Sequence, residues 1–246
     1  MSLPENVVAE GAGPTERLRV LLLGHGRMGR LVERLAGEYA CDIAGMLDSR
    51  SNSNGSALAS DRWRDIDVAI DFTYGEALAA NLRPLCELGA NLVIGTTGWR
   101  EHETEARRLV AEAQIGAVVA ANFSVGANVV EAIAELSGRL FEPRQEYGAW
   151  IHEMHHAAKL DAPSGTARTI SAAVTRGGFT RPIDMASTRA GMIPGTHTLG
   201  FDGPDESVNV SHLVRDRATF ARGALQAARW VKGRRGWFTM RDVLGI

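Results

Sequence analysis

The feature that most constrains what this chain can fold into lies near its start. Leu18-Arg19-Val20-Leu21-Leu22-Leu23 is a nearly unbroken apolar run, and it leads directly into Gly24-His25-Gly26-Arg27-Met28-Gly29. Beyond the turn, Met28, Leu31, Val32 and Leu35 recur at helical spacing. A strand that is apolar along its length must be covered on both faces, which is the situation of a strand in a parallel sheet. In a G-x-G-x-x-G turn the glycines allow a tight bend, close approach of a pyrophosphate and close helix–strand packing. The turn alone is weak; strand before and helix after make dinucleotide binding the expectation, against a plain glycine-rich loop.

The pattern then repeats. Cys41–Leu47 reads as a second strand ending at Asp48, about 20 residues past the glycine turn, where an acidic side chain takes the hydroxyls of an adenosine ribose. The same residue opens a Ser/Asn-rich loop over residues 49–60 and also reads as a turn former. Asp48 leans the cofactor to NADH, while Arg50 is placed to meet a 2′-phosphate, so NADPH fits the pattern as well. Residues 68–72, Asn91–Ile94 and residues 117–120 are further strands. Between them, residues 76–88 read as a helix interrupted by Pro84, and residues 101–113 as another. Such alternation predicts a Rossmann-like, doubly wound parallel sheet, with ligands beyond the carboxyl ends of the strands. The glycine turn, Asp48, Phe72, Gly95-Thr96-Thr97-Gly98 and Ala121-Asn122-Phe123-Ser124 all stand at strand ends. Thr96, Thr97 and Asn122 can hydrogen-bond an amide such as that of nicotinamide; ordinary loop chemistry is the competing reading of each.

A second concentration of polar groups follows a long helix expected at residues 126–140, with Val129, Val130, Ile133 and Leu136 on one face. It is Glu153-Met154-His155-His156-Ala157-Ala158-Lys159-Leu160-Asp161-Ala162-Pro163-Ser164-Gly165-Thr166. Tyr147, Trp150 and Ile151 favour a strand before it, and Ala167, Ile170, Ser171 and Val174 share a helix face after it, so the polar groups are expected on the connecting loop. Ser164 suits an N-cap, with Pro163 marking the helix start. The amides of Gly165 and Thr166 then point out of the helix N-terminus and suit an anion such as a carboxylate. His155, His156 and Lys159 beside them suit a small acidic substrate that must gain a proton. Side by side, His155 and Lys159 set two cations together, which favours proton release from the lysine.

Two other readings compete. His152-Glu153-Met154-His155-His156 contains H-E-x-x-H, the zinc-hydrolase pattern, but that pattern works only on a helix. The histidines also read as ordinary surface or interface residues.

Beyond the loop the texture changes. Ile183–Arg189, residues 196–201 and residues 208–214 are β-prone runs without helices between them, which predicts a second α+β domain with a mixed or antiparallel sheet. Such a sheet, thinly covered, is expected to lie against another subunit. Ala218–Val231 reads as a closing helix, and Val243-Leu244 as a short apolar patch. The whole chain has 246 residues, 45% hydrophobic and 23% charged with net charge −2. That is enough for one large or two modest domains, with no general attraction to nucleic acid or membrane. Two cysteines make no disulfide framework, so the cytoplasm is expected. Residues 1–16 lack periodicity and are expected as a flexible tail.

These stretches together resemble the dihydrodipicolinate (4-hydroxy-tetrahydrodipicolinate) reductase family, from about Arg19 to the C-terminus. The most specific piece is Glu153-x-His155-His156-x-x-Lys159-x-Asp161-Ala162-Pro163-Ser164-Gly165-Thr166-Ala167. Arg189-Ala190-Gly191, Gly195-Thr196-His197 and Phe220-Ala221-Arg222-Gly223-Ala224 also fit in order. The resemblance implies reduction of a cyclic unsaturated dicarboxylate by NADH or NADPH on the route to diaminopimelate and lysine. It implies a dinucleotide domain over residues 17–124 and 216–246, and a substrate domain over residues 125–215 whose sheet builds a homotetramer. By position it makes His155 the acid/base histidine and Lys159 a proton donor. Substrate then falls to His156, Lys159, Ser164, Gly165 and Thr166. Cofactor falls to Gly24, His25, Gly26, Arg27, Met28, Gly29, Asp48, Phe72, Gly95, Thr96, Thr97, Ala120, Ala121, Asn122 and Phe123, with no metal. Ser49 stands after Asp48 where some relatives carry a basic residue, a further lean to NADH. Another NAD(P)-dependent amino-acid-pathway dehydrogenase on the same fold is the nearest alternative.

Overall fold

A computed structural model describes residues 16–246; the expected tail, apart from its last residue Glu16, lies outside the described residues. The first sheet is parallel throughout, in the order β2 (Cys41–Leu47), β1 (Leu18–Leu23), β3 (Val68–Asp71), β4 (Asn91–Ile94), β5 (Gly116–Val119), β10 (Gly236–Phe238). The unbroken apolar run of β1 has a direct reason. Successive side chains of a strand point to opposite faces, and here each face has its own core. Val20 and Leu22 join a cluster with Val32 of α1 (Arg27–Leu35) and with Ala224, Leu225 and Ala228 of α6 (Ala218–Val231). Leu21 and Leu23 join another with Leu78, Leu82 and Leu85 of α2 (Gly75–Glu87) and Leu109 of α3 (Glu103–Glu112). Each such fully buried side chain contributes roughly 1.5–3 kcal/mol of transfer free energy.

The second sheet is mixed, in the order β7 (Ile183–Arg189), β6 (Gly148–His155), β8 (Thr196–Asp202), β9 (Ser207–Leu213), with only β6 and β7 parallel. One of its faces is covered by α4 (Val125–Phe141) and α5 (Gly165–Arg176): Ala149, Ile151, Leu199 and Phe201 meet Val130, Ala134, Ile170 and Val174. Along β6 every second residue is buried, so Ala149 and Ile151 are followed on the same face by Glu153 and His155.

Several expectations are corrected. Pro84 does not interrupt its helix; α2 runs through it, held by Leu78, Leu82, Leu85 and Cys86 packed on one side. On α4 the buried face is Ala127, Val130, Ala134 and Gly138, while Ile133 and Leu136 are exposed. The cause is the close approach of α5: a Cβ on Gly138 would collide with the Val174 carbonyl, so small residues rather than large ones face it. β10 and the short α7 (Met240–Leu244) were not expected as elements. β10 extends the first sheet beside β5, and Met240 and Val243 enter the core of α1 and α6. Finally, β6 continues to His155, so Glu153, Met154 and His155 lie on the strand rather than on the loop.

Candidate active site

The carboxyl ends of β1, β2 and β3 open on a cleft of about 450 Å³ lined by Gly24, His25, Gly26, Asp48 and Phe72, among others. Gly24 has φ +88°, and a Cβ there would run into the Phe72 carbonyl; one on Gly29 would run into the carbonyl of Gly24. At Gly26, by contrast, a Cβ would meet nothing within 4 Å, which leaves room for a ligand against the backbone. Helix α1 begins there with no side-chain cap and no acidic residue in its first turn. Free amides and the positive end of a helix suit a pyrophosphate, so these residues fit a dinucleotide. Arg27 is exposed, Met28 packs on the core beneath, and His25 Nε2 lies 2.8 Å from Glu33 Oε2.

At Asp48 the turn-former reading holds. Its Oδ1 accepts from the amides of Ser51 (2.9 Å) and Arg50 (3.0 Å) and from the Ser51 hydroxyl (2.9 Å). These bonds, those of Ser51 foremost, hold the carboxyl below its usual range. Oδ2 carries no hydrogen bond among the described residues, which leaves an acceptor at the cleft for a ribose.

Two expected cofactor residues point inward instead. The Thr96 hydroxyl donates to Asp71 Oδ1 (2.6 Å) and accepts from the Thr73 amide (2.7 Å), so it is not available to a nicotinamide. Phe123 is buried, edge-on to Phe72 with centroids 6.0 Å apart. A Cβ on Gly95 would strike the Phe72 ring, so these residues form the floor under the strand ends. Asp71, which the sequence reading passed over, holds this arrangement. Burial pushes its carboxyl up, against the bonds from Thr73, Thr96 and Asn81.

A second cleft, about 580 Å³, is lined from both sheets. Thr97, Ala121 and Asn122 from the ends of β4 and β5 line it together with Asn128 of α4 and with His155, Lys159, Ser164, Gly165 and Thr166. Ala120 is part-buried just before it. Thus the strand-end loops and the histidine–lysine segment face one space. His156 is not among its lining residues; its carbonyl accepts from the Lys159 amide. Ser164 caps α5 as expected, its Oγ accepting from the Ala167 amide at 3.2 Å. A Cβ on Gly165 would meet nothing within 4 Å, so an anion can come up to the backbone. Lys159 is ion-paired with Asp161 at 2.6 Å, and its charge also acts on His155, adding to burial in lowering the imidazole.

The floor of this cleft is a buried polar cluster. His155, 8% exposed, is hydrogen-bonded through Nδ1 to Glu153 Oε2. Glu153, 0% exposed, also receives Arg189 in two-pronged fashion: Nη2 to Oε1 at 2.6 Å and Nη1 to Oε2 at 3.0 Å. Burial raises the Glu153 carboxyl, but the bonds from Arg189, Ser187 and His155 outweigh it and bring it to about 2. Burial lowers His155, and the bond to Glu153 opposes that shift. His197 Nε2 lies 3.0 Å from Ser164 Oγ, and burial with His155 nearby brings its imidazole down to about 4. Donor atoms of Glu153, His155 and His197 lie within 4.8 Å of one another, but Arg189 already pairs both carboxylate oxygens. The H-E-x-x-H pattern runs along a strand, and His152 faces away from Glu153 and His155, bonded to Thr188 Oγ1 at 3.0 Å. The helix-borne histidine pair of a zinc hydrolase does not form. The sequence motifs contain Glu153, Arg189 and His197 but give them no role; the period-2 burial of β6 is the signal that singles out Glu153.

Comparison with known proteins agrees on one family. Profiles described as dihydrodipicolinate reductase, N-terminus and C-terminus, match residues 18–123 and 126–244. A 4-hydroxy-tetrahydrodipicolinate reductase of Thiobacillus denitrificans is 37% identical, covering 93% of this chain and 99% of its own length. One from Rhodopseudomonas palustris is 34% identical, covering 93% and 98%. Among solved structures, a dipicolinate-bound dihydrodipicolinate reductase from Paenisporosarcina sp. TG-14 superposes with a TM-score of 0.76 at 22% identity, over 92% of this chain and 98% of that one.

Proposed function

The chain belongs to the dihydrodipicolinate reductase family, and from that premise we propose that its two clefts together reduce 4-hydroxy-tetrahydrodipicolinate to tetrahydrodipicolinate in diaminopimelate and lysine biosynthesis. The observation that carries this reading is the shared cleft, in which Thr97 and Asn122 of the nucleotide side face His155, Lys159 and the Ser164–Thr166 turn.

When bound, a reduced nicotinamide cofactor supplies the hydride. The residues of this chain do the rest. The Gly24–Gly29 turn and the α1 amides hold the pyrophosphate. Asp48 takes the adenosine ribose, which inclines the site to NADH over NADPH. Thr97, Asn122 and the backbone of Ala120 and Ala121 orient the carboxamide. On the facing side, the amides of Gly165 and Thr166 and the Lys159 ammonium hold substrate carboxylate, with His156 next to the lysine on the same loop. Loss of the substrate's 4-hydroxyl as water leaves an unsaturated ring; hydride addition to its electron-poor carbon then leaves negative charge that a proton must quench at the neighbouring carbon. A positioned general acid contributes typically about 10² to 10⁴ in rate. His155, through the Nε2 edge of its ring, and Lys159 are the donors within the cleft.

We divide the chain into a cofactor-binding unit, residues 17–124 and 216–246, and a substrate unit, residues 125–215. The division is supported by α6, α7 and β10 joining the first sheet's core while α4 and α5 share the second. Exposed Met185, Val208 and Leu213 on β7 and β9 support a homotetramer built on the second sheet. Two free, buried cysteines, Cys41 and Cys86, support a cytoplasmic enzyme. No helix among the described residues is long and apolar enough to cross a membrane. The test is to follow NADH absorbance after adding enzymatically generated substrate. Turnover by the native enzyme, with kcat down by at least 10²-fold in His155→Ala and in Lys159→Ala and NADH affinity kept, is the expected result. Near-native turnover in either variant removes that residue's role.

A further inference from the structure

The buried carboxylate of Glu153 has no part in the chemistry above, yet the cleft's acid rests on it. Glu153 and His155 are two residues apart on one face of β6. In register beside Glu153 stand Ser187 of β7 and His197 of β8, and beside His155 stands Arg189. The oxygens of Glu153 tie together His155, Arg189 and the turn at Ser164. Oε2 is bonded to His155 Nδ1 and to Arg189 Nη1; Oε1 accepts from Arg189 Nη2 and, at 3.3 Å, from the backbone amide of Ser164. Arg189 in turn donates to the carbonyl of Asp161.

We propose that Glu153, clamped by Arg189, is the positioning residue that sets both the tautomer of His155 and its distance from the carboxylate-binding turn at Ser164. The proposal rests on His155 acting as the acid.

An ionised carboxylate can only accept, so Nδ1 of His155 must carry a proton whether the ring is neutral or cationic. The other nitrogen, Nε2, is then the one that gains and gives protons. As the imidazolium, His155 passes its Nε2 proton to the ring carbon beside the hydride acceptor and is left neutral, with Nδ1–H still held by Glu153; the Nε2 proton is restored from water. A side chain at Gly195 would crowd Nε2, its Cβ coming to 3.1 Å. Glu153 also acts mechanically. One carboxylate holds both the acid and the first amide of the turn that starts α5, so proton donor and anion cradle keep a fixed separation. Hydrogen bonds to such outer partners govern ring orientation and basicity in the same way in carboxylate–histidine pairs at metal sites.

The charged groups facing His155 are Glu153 on its own strand, Arg189 on β7, His197 on β8, and Lys159 on the loop. Only Glu153 among them favours the cation. Removing its charge therefore shifts the loss of the acidic form to lower pH.

The experiment uses Glu153→Gln and, because an unpaired Arg189 can itself disturb the fold, Glu153→Gln/Arg189→Gln. Both are compared with the native enzyme in kcat/KM from acid to alkaline pH and in NADH affinity. A loss of 10- to 100-fold in kcat is expected in both, with NADH affinity unchanged; the alkaline limb of the profile is expected to move down by about one pH unit in Glu153→Gln and by less in the double variant, which also loses the opposing Arg189 charge. Nitrogen NMR of the labelled native enzyme gives a reading independent of variant folding and of turnover: His155 protonated at Nδ1 is expected, and the Nε2–H tautomer with bare Nδ1 overturns the proposal. An unmoved pH limb in Glu153→Gln, or full recovery of kcat in the double variant, overturns it too. Should His155→Ala retain turnover, it is the acid assignment that fails rather than the tautomer, which the spectrum reports on its own.

Discussion

Ser164 joins two requirements in one hydroxyl, and its removal has a calculable cost. Its Oγ accepts from the Ala167 amide and lies 3.0 Å from His197 Nε2, and all three residues are buried. Replacing a serine N-cap by alanine costs about 0.5–2 kcal/mol. Leaving a buried imidazole nitrogen without its partner adds about 1–3 kcal/mol, the more so because His197 Nδ1 already lacks one among the described residues. Ser164→Ala is therefore expected to destabilise by about 1.5–5 kcal/mol. For a chain of this size about 1 kcal/mol moves Tm by roughly 2–4 °C, so calorimetry should record a drop of roughly 3–20 °C. Ser164→Gly separates the two contributions. Glycine is nearly as good an N-cap, within a few tenths of a kcal/mol, but it leaves His197 equally bare. It should fall between native and Ser164→Ala. Both variants should raise the KM for the dicarboxylate more than that for NADH, since the turn they loosen carries the amides proposed to hold the substrate carboxylate. A Tm within about 1 °C of native for Ser164→Ala, or indistinguishable values for the alanine and glycine variants, refutes this account of the turn.

Other consequences follow from the nucleotide side and from acid. Asp48→Ala should weaken NADH more than NADPH in fluorescence titrations, since the hydroxyl acceptor is lost while Arg50 remains; equal losses remove the ribose role. Gly24→Ala meets both a positive φ, an expense of roughly 1–2 kcal/mol, and the Phe72 carbonyl; NADH affinity should fall by tenfold or more, and native affinity would show that the turn tolerates a Cβ. Glu153 is held at about 2, below its ordinary carboxyl value. Its contribution to stability is thus full above about pH 4.5 and is lost as pH falls toward about 2. Denaturant midpoints measured across that window should decline in the native enzyme and decline less steeply in Glu153→Gln; parallel curves would remove the ion pair from the acid response.

The parts of the molecule legible in the sequence are those where local pattern and tertiary role agree. The run at Leu18–Leu23 reads as a two-sided strand because both its faces are in fact covered, and Ser164 reads as a cap because it caps. What the pattern missed depends on partners distant in the chain. Gly236–Phe238 is too short to announce a strand, and it becomes one only against β5. The choice of buried face on α4 was set by α5, whose Val174 carbonyl admits a glycine at 138 but nothing larger. Thr96 offered a hydroxyl to solvent on paper, but Asp71, 25 residues away, takes it. Likewise the polar segment from Glu153 was read as loop because it is polar. Its first three residues are strand, with Glu153 and His155 buried as a paired group whose counter-charge, Arg189, comes from another strand.

The most direct test of the central claim is a crystal structure of the enzyme with NADH and a non-reacting aromatic dicarboxylate together. The account predicts the nicotinamide ring beside Thr97 and Asn122, a ligand carboxylate on the amides of Gly165 and Thr166, and the reactive ring edge within hydrogen-bonding reach of His155 Nε2 or Lys159 Nζ. A dicarboxylate bound away from the α5 N-terminus, or a nicotinamide turned out of the space that His155 faces, would contradict it.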